Sequence, residues 1–206
     1  MDIEKVINNL KSHRKIFYSE SDFQFALAWE IQKYYSKAKI RLERCHTLKD
    51  LYVDIIVLLD NKEYPIELKY KTKMLETKEN NEEYFLKEQG AQDLGRYDYL
   101  KDIQRLENLS KEINNFGKGF AILLTNDTSY CGKKRKGAID EEFFLTQNEI
   151  KTGTMKWAPK AGKVTTNKRK NPIKLSGKYK INWKDYSKFE NQKNGEFKYC
   201  LSIVKK

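Results

Sequence analysis

The run LYVDIIVLLDNKEYPIELKY, residues 51–70, governs how the rest of the chain is read. Leu51 to Leu59 is a nearly unbroken apolar series rich in β-branched residues, which favours a buried strand. Asp60, Asn61, Lys62 and Glu63 then make a turn. From Tyr64 the pattern alternates, with Tyr64, Ile66, Leu68 and Tyr70 on one face and Glu67 and Lys69 on the other. Two neighbouring strands joined as a hairpin are expected.

On the N-terminal side of this run, SDFQFALAWEIQKYYSKA (Ser21 to Ala38) opens with a Ser/Asp cap and holds neither Gly nor Pro, so it reads as an amphipathic helix. A short strand is expected at Ile40 to Arg44, followed by the polar stretch HTLKD (46–50). Downstream, Phe85 to Ile113 carries apolar residues at mostly helical spacing and reads as a long second helix, with Gly90 or Gly95 as a break point. KGFAILLTND, residues 118–127, is another buried strand. The order αβββαβ defines an α/β fold, a mixed sheet flanked by helices. Beyond Asp127 the expectation is a short helix near Glu141 to Glu149, a Lys/Thr/Asn-rich loop around 158–177, and strands at Tyr179 to Tyr186 and Glu196 to Val204.

With 206 residues, 39% of them hydrophobic, the chain suits a single domain, its core at about 19–125 with a basic C-terminal extension, an appendage to that core, at about 126–206. Only 3 Pro and 10 Gly argue against disordered or fibrous classes. The three cysteines, Cys45, Cys131 and Cys200, form no CxxC pair. The stretch 1–20 is charged throughout, and the apolar runs are far too short to span a bilayer. A cytoplasmic protein without membrane attachment is the expectation. The net charge of +12 is uneven: residues 1–110 hold 19 basic and 20 acidic residues, whereas residues 111–206 hold 22 and 9. A compositional bias toward Lys should act on both halves, so the asymmetry favours a positive surface whose partner is a polyanion. Lys133, Lys134, Arg135 and Lys136 form one cluster, readable also as an import signal or a solvated loop, and Lys168, Arg169 and Lys170 another. Trp157 and Trp183 either stack a base beside the second cluster or belong to the core.

Two acids stand where apolar residues are expected. Glu30 shares a helix face with Phe23, Ala26, Leu27 and Tyr34, and Asp54 interrupts the first strand of the hairpin. A buried carboxylate is costly unless a cation or hydrogen bonds compensate it. The hairpin sets Asp54 and Glu67 on adjoining strands, where two carboxylates can meet one hard divalent cation such as magnesium, with manganese as its substitute. Lys69 shares the face of Glu67, so its ammonium can polarise a water and stabilise phosphate charge. Each acid alone is more often a structural ion pair; the combination points to phosphodiester hydrolysis.

Asp54, twelve intervening residues and then Glu67-Leu68-Lys69 resemble the PD-(D/E)XK nuclease superfamily, the restriction-endonuclease-like fold, although Val53 stands where the family label has proline. The resemblance implies that Asp54, Glu67 and the Leu68 carbonyl bind magnesium, that Lys69 assists the attacking water, and that Glu30 is the helix acid. Gln89, Asp93 and Tyr97 resemble auxiliary residues of some branches, or equally an exposed polar face with Tyr97 in the core. FYSESDFQFALAW, GRYDYLKDIQRLE and YKINWKDYS also look similar to segments of small bacterial members. DNA is the implied substrate, and a double-strand cut needs two such sites, which a homodimer supplies. Alternatives are a nonenzymatic DNA-binding module on the same scaffold, and an RNA-cleaving or structure-selective nuclease.

Other chemistries fail on their residues. GAQDLGRY at Gly90 has Arg96 and Tyr97 where a P-loop needs Lys and Ser/Thr, and after Gly117 and Gly119 a dinucleotide fingerprint would need Gly where Ile122 stands. His13 and His46 are the only histidines and no G-x-S-x-G elbow exists, so a hydrolase triad lacks support.

Overall fold

The computed structural model describes residues 1–46 and 51–206, so most of the polar connection HTLKD, residues 47–50, lies outside the described residues. In chain order the elements are α1 (Ile3–His13), α2 (Glu20–Tyr34), β1 (Lys39–His46), β2 (Leu51–Leu59), β3 (Lys62–Lys71), β4 (Leu75–Glu79), β5 (Glu82–Leu86), α3 (Gln92–Glu112), β6 (Gly119–Thr125), β7 (Ile150–Met155), β8 (Ile173–Lys180), β9 (Trp183–Lys188) and β10 (Glu196–Val204). Among the described residues the main sheet has the order β1-β2-β3-β6-β10-β9. Only its β3–β6 pair is parallel.

The alternation read from β3 and β6 separates two apolar layers. Ile66, Leu68 and Tyr70 of β3 and Phe120, Ile122 and Leu124 of β6 face α1 and α2, whose Val6, Leu10, Phe23, Leu27 and Ile31 complete that core. Ala121 and Leu123 face the other way, onto Leu100, Ile103 and Leu106 of α3 and the β7–β8 hairpin. The hairpin turn is tight: Leu59 pairs with Lys62, and Asp60 and Asn61 both take left-handed backbone (φ 50 and 56), as a two-residue loop matched to strand twist requires.

Several local expectations change. α1 lies in the charged stretch 1–20, where no element was expected, yet Ile3, Val6, Ile7 and Leu10 form one buried stripe and Asp2 caps its start. α2 starts at its Ser19 cap and ends at Tyr34, short of Ala38. The expected helix from Phe85 begins only at Gln92, because Tyr84 and Leu86 bury at period two in β5, paired with β4. Gly95 does not break α3; a Cβ there would overlap the Tyr130 hydroxyl, so glycine permits that close packing. The helix expected at Glu141 to Glu149 is a single 3-10 turn, Glu141–Phe143, after which Phe144 and Leu145 are buried. The strand expected from Tyr179 to Tyr186 is divided between the end of β8 and most of β9. β10 runs from Glu196 to Val204 as expected, and it pairs with β6. The C-terminal part is therefore woven into the sheet, not appended to it.

Candidate active site

The site forms where β2 leaves β3. Their ladder stops at Ile55 opposite Ile66. Asp54 stands at that parting, and its Oδ2 accepts the Leu68 N–H at 2.6 Å, where a continued ladder would have used a backbone carbonyl. The irregularity is held from outside: Gln24 of α2 donates to the Asp54 carbonyl at 2.6 Å and to Glu43 at 2.8 Å, and Glu43 itself takes left-handed backbone (φ 47). Val53 and Ile56 both join the α3-side core while Ile55 joins the other, so alternation changes phase at Asp54. A kinked strand of this kind re-aims one side chain.

Glu67 and Lys69 point toward α3. Glu67 is 1% exposed, with its Oε1 3.2 Å from Arg105 Nη2, and no hydrogen bond reaches that oxygen among the described residues. Lys69 Nζ donates to the Leu68 carbonyl at 2.9 Å and lies 2.8 Å from Asp102 Oδ2. Asp102 is also 3.3 Å from Arg105. One further acid arrives from α2: Glu20 accepts the Tyr70 N–H at 2.7 Å, so Asp54 and Glu20 between them cap two amides along the edge of β3 that β2 has vacated.

The electrostatics follow from this crowding. Burial raises the Asp54 carboxyl to about 6, with Lys69 and the Leu68 N–H pulling it down and Asp102 and Glu20 pushing it further up. Burial, and then Asp102, also raise Glu67 well above the ordinary carboxylate range against the pull of Arg105. Burial disfavours the Lys69 ammonium, but Asp102, Glu20 and Asp54 outweigh it and hold Lys69 above the usual lysine range. Lys69 is thus a charged donor at neutral pH, not a proton acceptor.

Of the residues singled out from sequence, Asp54, Glu67, Leu68 and Lys69 are brought together. Glu30 is not: it is buried near the other end of α2, where Asn9 and His13 (3.1 Å) of α1 and Lys33 (3.9 Å) hold its carboxylate. A polar grip between helices accounts for that acid, and Glu20 is the α2 acid beside Asp54 and Lys69. Gln89 lies before α3, exposed, with its N–H on the Thr72 carbonyl. Asp93 accepts from the Leu94 N–H, and Tyr97 is core, stacked on Trp157 at 5.7 Å. Asp102 and Arg105 are members of the site that the sequence reading missed. Asp102 lies between Tyr99, three residues before, and Leu106, four after, both fully buried, so the signal used for Glu30 was present there too.

The basic clusters behave differently from each other. Lys133, Lys134 and Arg135 are exposed. Arg135 and Lys136 line a surface cleft of about 500 Å³ together with Lys160 and the start of α3. Lys168 and Lys170 are exposed, but Arg169 is bound to Asp98 through two 2.7 Å hydrogen bonds. The indole N–H groups of Trp157 and Trp183 donate to the Arg169 and Leu145 carbonyls, so both rings serve packing.

Among the described residues no group of three or more His, Cys, Asp and Glu side chains forms a ready metal cage. The donors at the strand parting are hard oxygens, two carboxylates and the Leu68 carbonyl, and one buried Glu67 oxygen lacks a hydrogen-bond donor; that set fits a magnesium-like ion. A scan of protein-family models yields no match to this chain, and a search of curated proteins yields none either.

Proposed function

We propose that the protein is a magnesium-dependent nuclease of the PD-(D/E)XK kind that hydrolyses DNA phosphodiester bonds. The observation that carries this reading is the meeting of Asp54, Glu67 and Lys69 at one parting of two strands, with Lys69 and the Asp54 carboxylate both on Leu68 backbone groups. Asp54, Glu67 and the Leu68 carbonyl would hold the ion. When bound, it supplies Lewis-acid charge against the phosphate and makes water more acidic. Lys69, charged and oriented by Asp102, stands beside the phosphate to offset its developing negative charge. Glu20 keeps the β3 edge at Tyr70 aligned. The exposed Lys133, Lys134, Arg135 and Lys136 suit non-specific binding to phosphates. Their Ala replacements should reduce the salt slope of DNA binding by about 0.9 for each phosphate that is no longer neutralised.

The test is cleavage of plasmid and single-stranded DNA with and without magnesium. Asp54→Ala and Lys69→Ala should each lower cleavage by at least about 100-fold. Unchanged cleavage by both variants would remove the site from the chemistry. Salt-dependent DNA binding with no cleavage under any divalent ion would make the protein a binding module, and preference for RNA would change the substrate class alone.

A further inference from the structure

The acids of the site are held by two of the protein's own cations, and they are held in different ways. Lys69 donates a hydrogen bond to the Leu68 carbonyl at 2.9 Å and forms an ion pair with Asp102 at 2.8 Å. Arg105 is satisfied only in part. Its Nη1 donates to Asp102 Oδ1 at 3.3 Å, but its Nη2 is 3.2 Å from Glu67 without forming a hydrogen bond, and its buried Nε has no acceptor among the described residues. Its shortest contact is to the backbone, Nη2 to the Tyr52 carbonyl at 2.5 Å. A guanidinium matched to a carboxylate makes two parallel hydrogen bonds. Arg105 makes none to Glu67: its hydrogen bonds go to Asp102 and the Tyr52 carbonyl, and only charge ties it to Glu67. Its side chain is 25% exposed, whereas that of Glu67 is 1%, so the arginine has a route to solvent and the glutamate has none.

Once ionised, a carboxylate this buried needs a positive neighbour. We propose that Arg105 is the resident counter-ion of Glu67, occupying its charge until a divalent ion arrives and competing with that ion for the carboxylate. Arg105 thereby sets the ion concentration at which the site loads. The inference rests on the metal-site reading above. Removing Arg105 leaves the acids around Lys69 with one positive charge fewer, which favours a divalent cation in its place. Arg105 is a positioning residue in this scheme, acting through Glu67.

The experiment is titration of the full-length protein with Mn²⁺ alone, without DNA, by calorimetry at about pH 8.5, where protons compete weakly for the carboxylates. Arg105→Gln should bind Mn²⁺ at least about tenfold more tightly than wild type. Its thermal midpoint should be lower than wild type in chelator and should rise further on adding Mn²⁺. Arg105→Lys, which keeps the charge, should stay near wild-type affinity. If Arg105→Gln does not fold, Arg105→Met preserves the packed stem and is held to the same expectation. Equal or weaker Mn²⁺ binding by the neutral variants, while wild type binds and Asp54→Asn does not, overturns the counter-ion role and leaves the nuclease reading standing. Absence of Mn²⁺ binding in wild type and variants alike overturns both.

Discussion

At the scale of single residues, the site is built from groups kept against their solvation preference. Asp54 has its carboxyl raised to about 6 by burial, against an ordinary value of 3.8. The folded protein therefore holds this proton more tightly than the unfolded chain. Its contribution to stability is fully present below about pH 4 and is lost as pH rises through about 6. In chelator, unfolding free energy should fall across that window by about 2–3 kcal/mol, at ~1.4 kcal/mol per pH unit of displacement. Glu67 acts in the same direction, so Asp54→Asn should shrink the step without abolishing it. At pH 8 the Asn variant, whose amide oxygen can still accept the Leu68 N–H, should be more stable than wild type to urea while cleaving no DNA. A variant less stable than wild type there would mean that Asp54 is a structural cap first.

Elements position these residues through a few long-reaching side chains. Gln24 couples α2 to the kink between β1 and β2 and touches none of the reacting groups. Gln24→Leu should cost about 1–2 kcal/mol through the missing hydrogen bonds. It should also lower cleavage, because Asp54 would relax toward the regular ladder; measuring kcat and urea stability together separates the two effects. On the opposite layer, Glu107 of α3 accepts from the Ser176 and Gly177 amides and the Tyr179 hydroxyl, at 2.9, 2.7 and 2.8 Å, which clamps β8 to the helix that carries Asp102 and Arg105. Glu107→Ala leaves three donors without their acceptor and should destabilise by about 2–4 kcal/mol, seen as a lower urea midpoint. A destabilisation below about 0.5 kcal/mol would show that water replaces the carboxylate at no cost.

For the whole molecule, the C-terminal residues complete the sheet that holds the site. β10 covers β6, which is the parallel neighbour of the strand bearing Glu67 and Lys69, and Cys200 and Val204 are buried against the α3 layer. A fragment ending at residue 125 should show no cooperative unfolding transition, as it would expose a full edge of β6 and the face of α3; a folded fragment would return this region to the status of an appendage. Much was legible in sequence. The hairpin at 51–70 and the strand at 119–125 follow from local periodicity, which acts between neighbours along the chain. The turn, however, is two residues, Asp60 and Asn61, where Asp60 to Glu63 was expected. Hairpin pairing set Asp54 near Glu67 and Lys69, and the kink at Asp54 aims it. Tertiary structure decided which helix acid joins them, Glu20 rather than Glu30, and which cations attend them, since those choices depend on the angle at which α2 and α3 cross the sheet. Side-chain spacing along a helix reveals that an acid faces inward; only the packing of one layer on another determines what it faces.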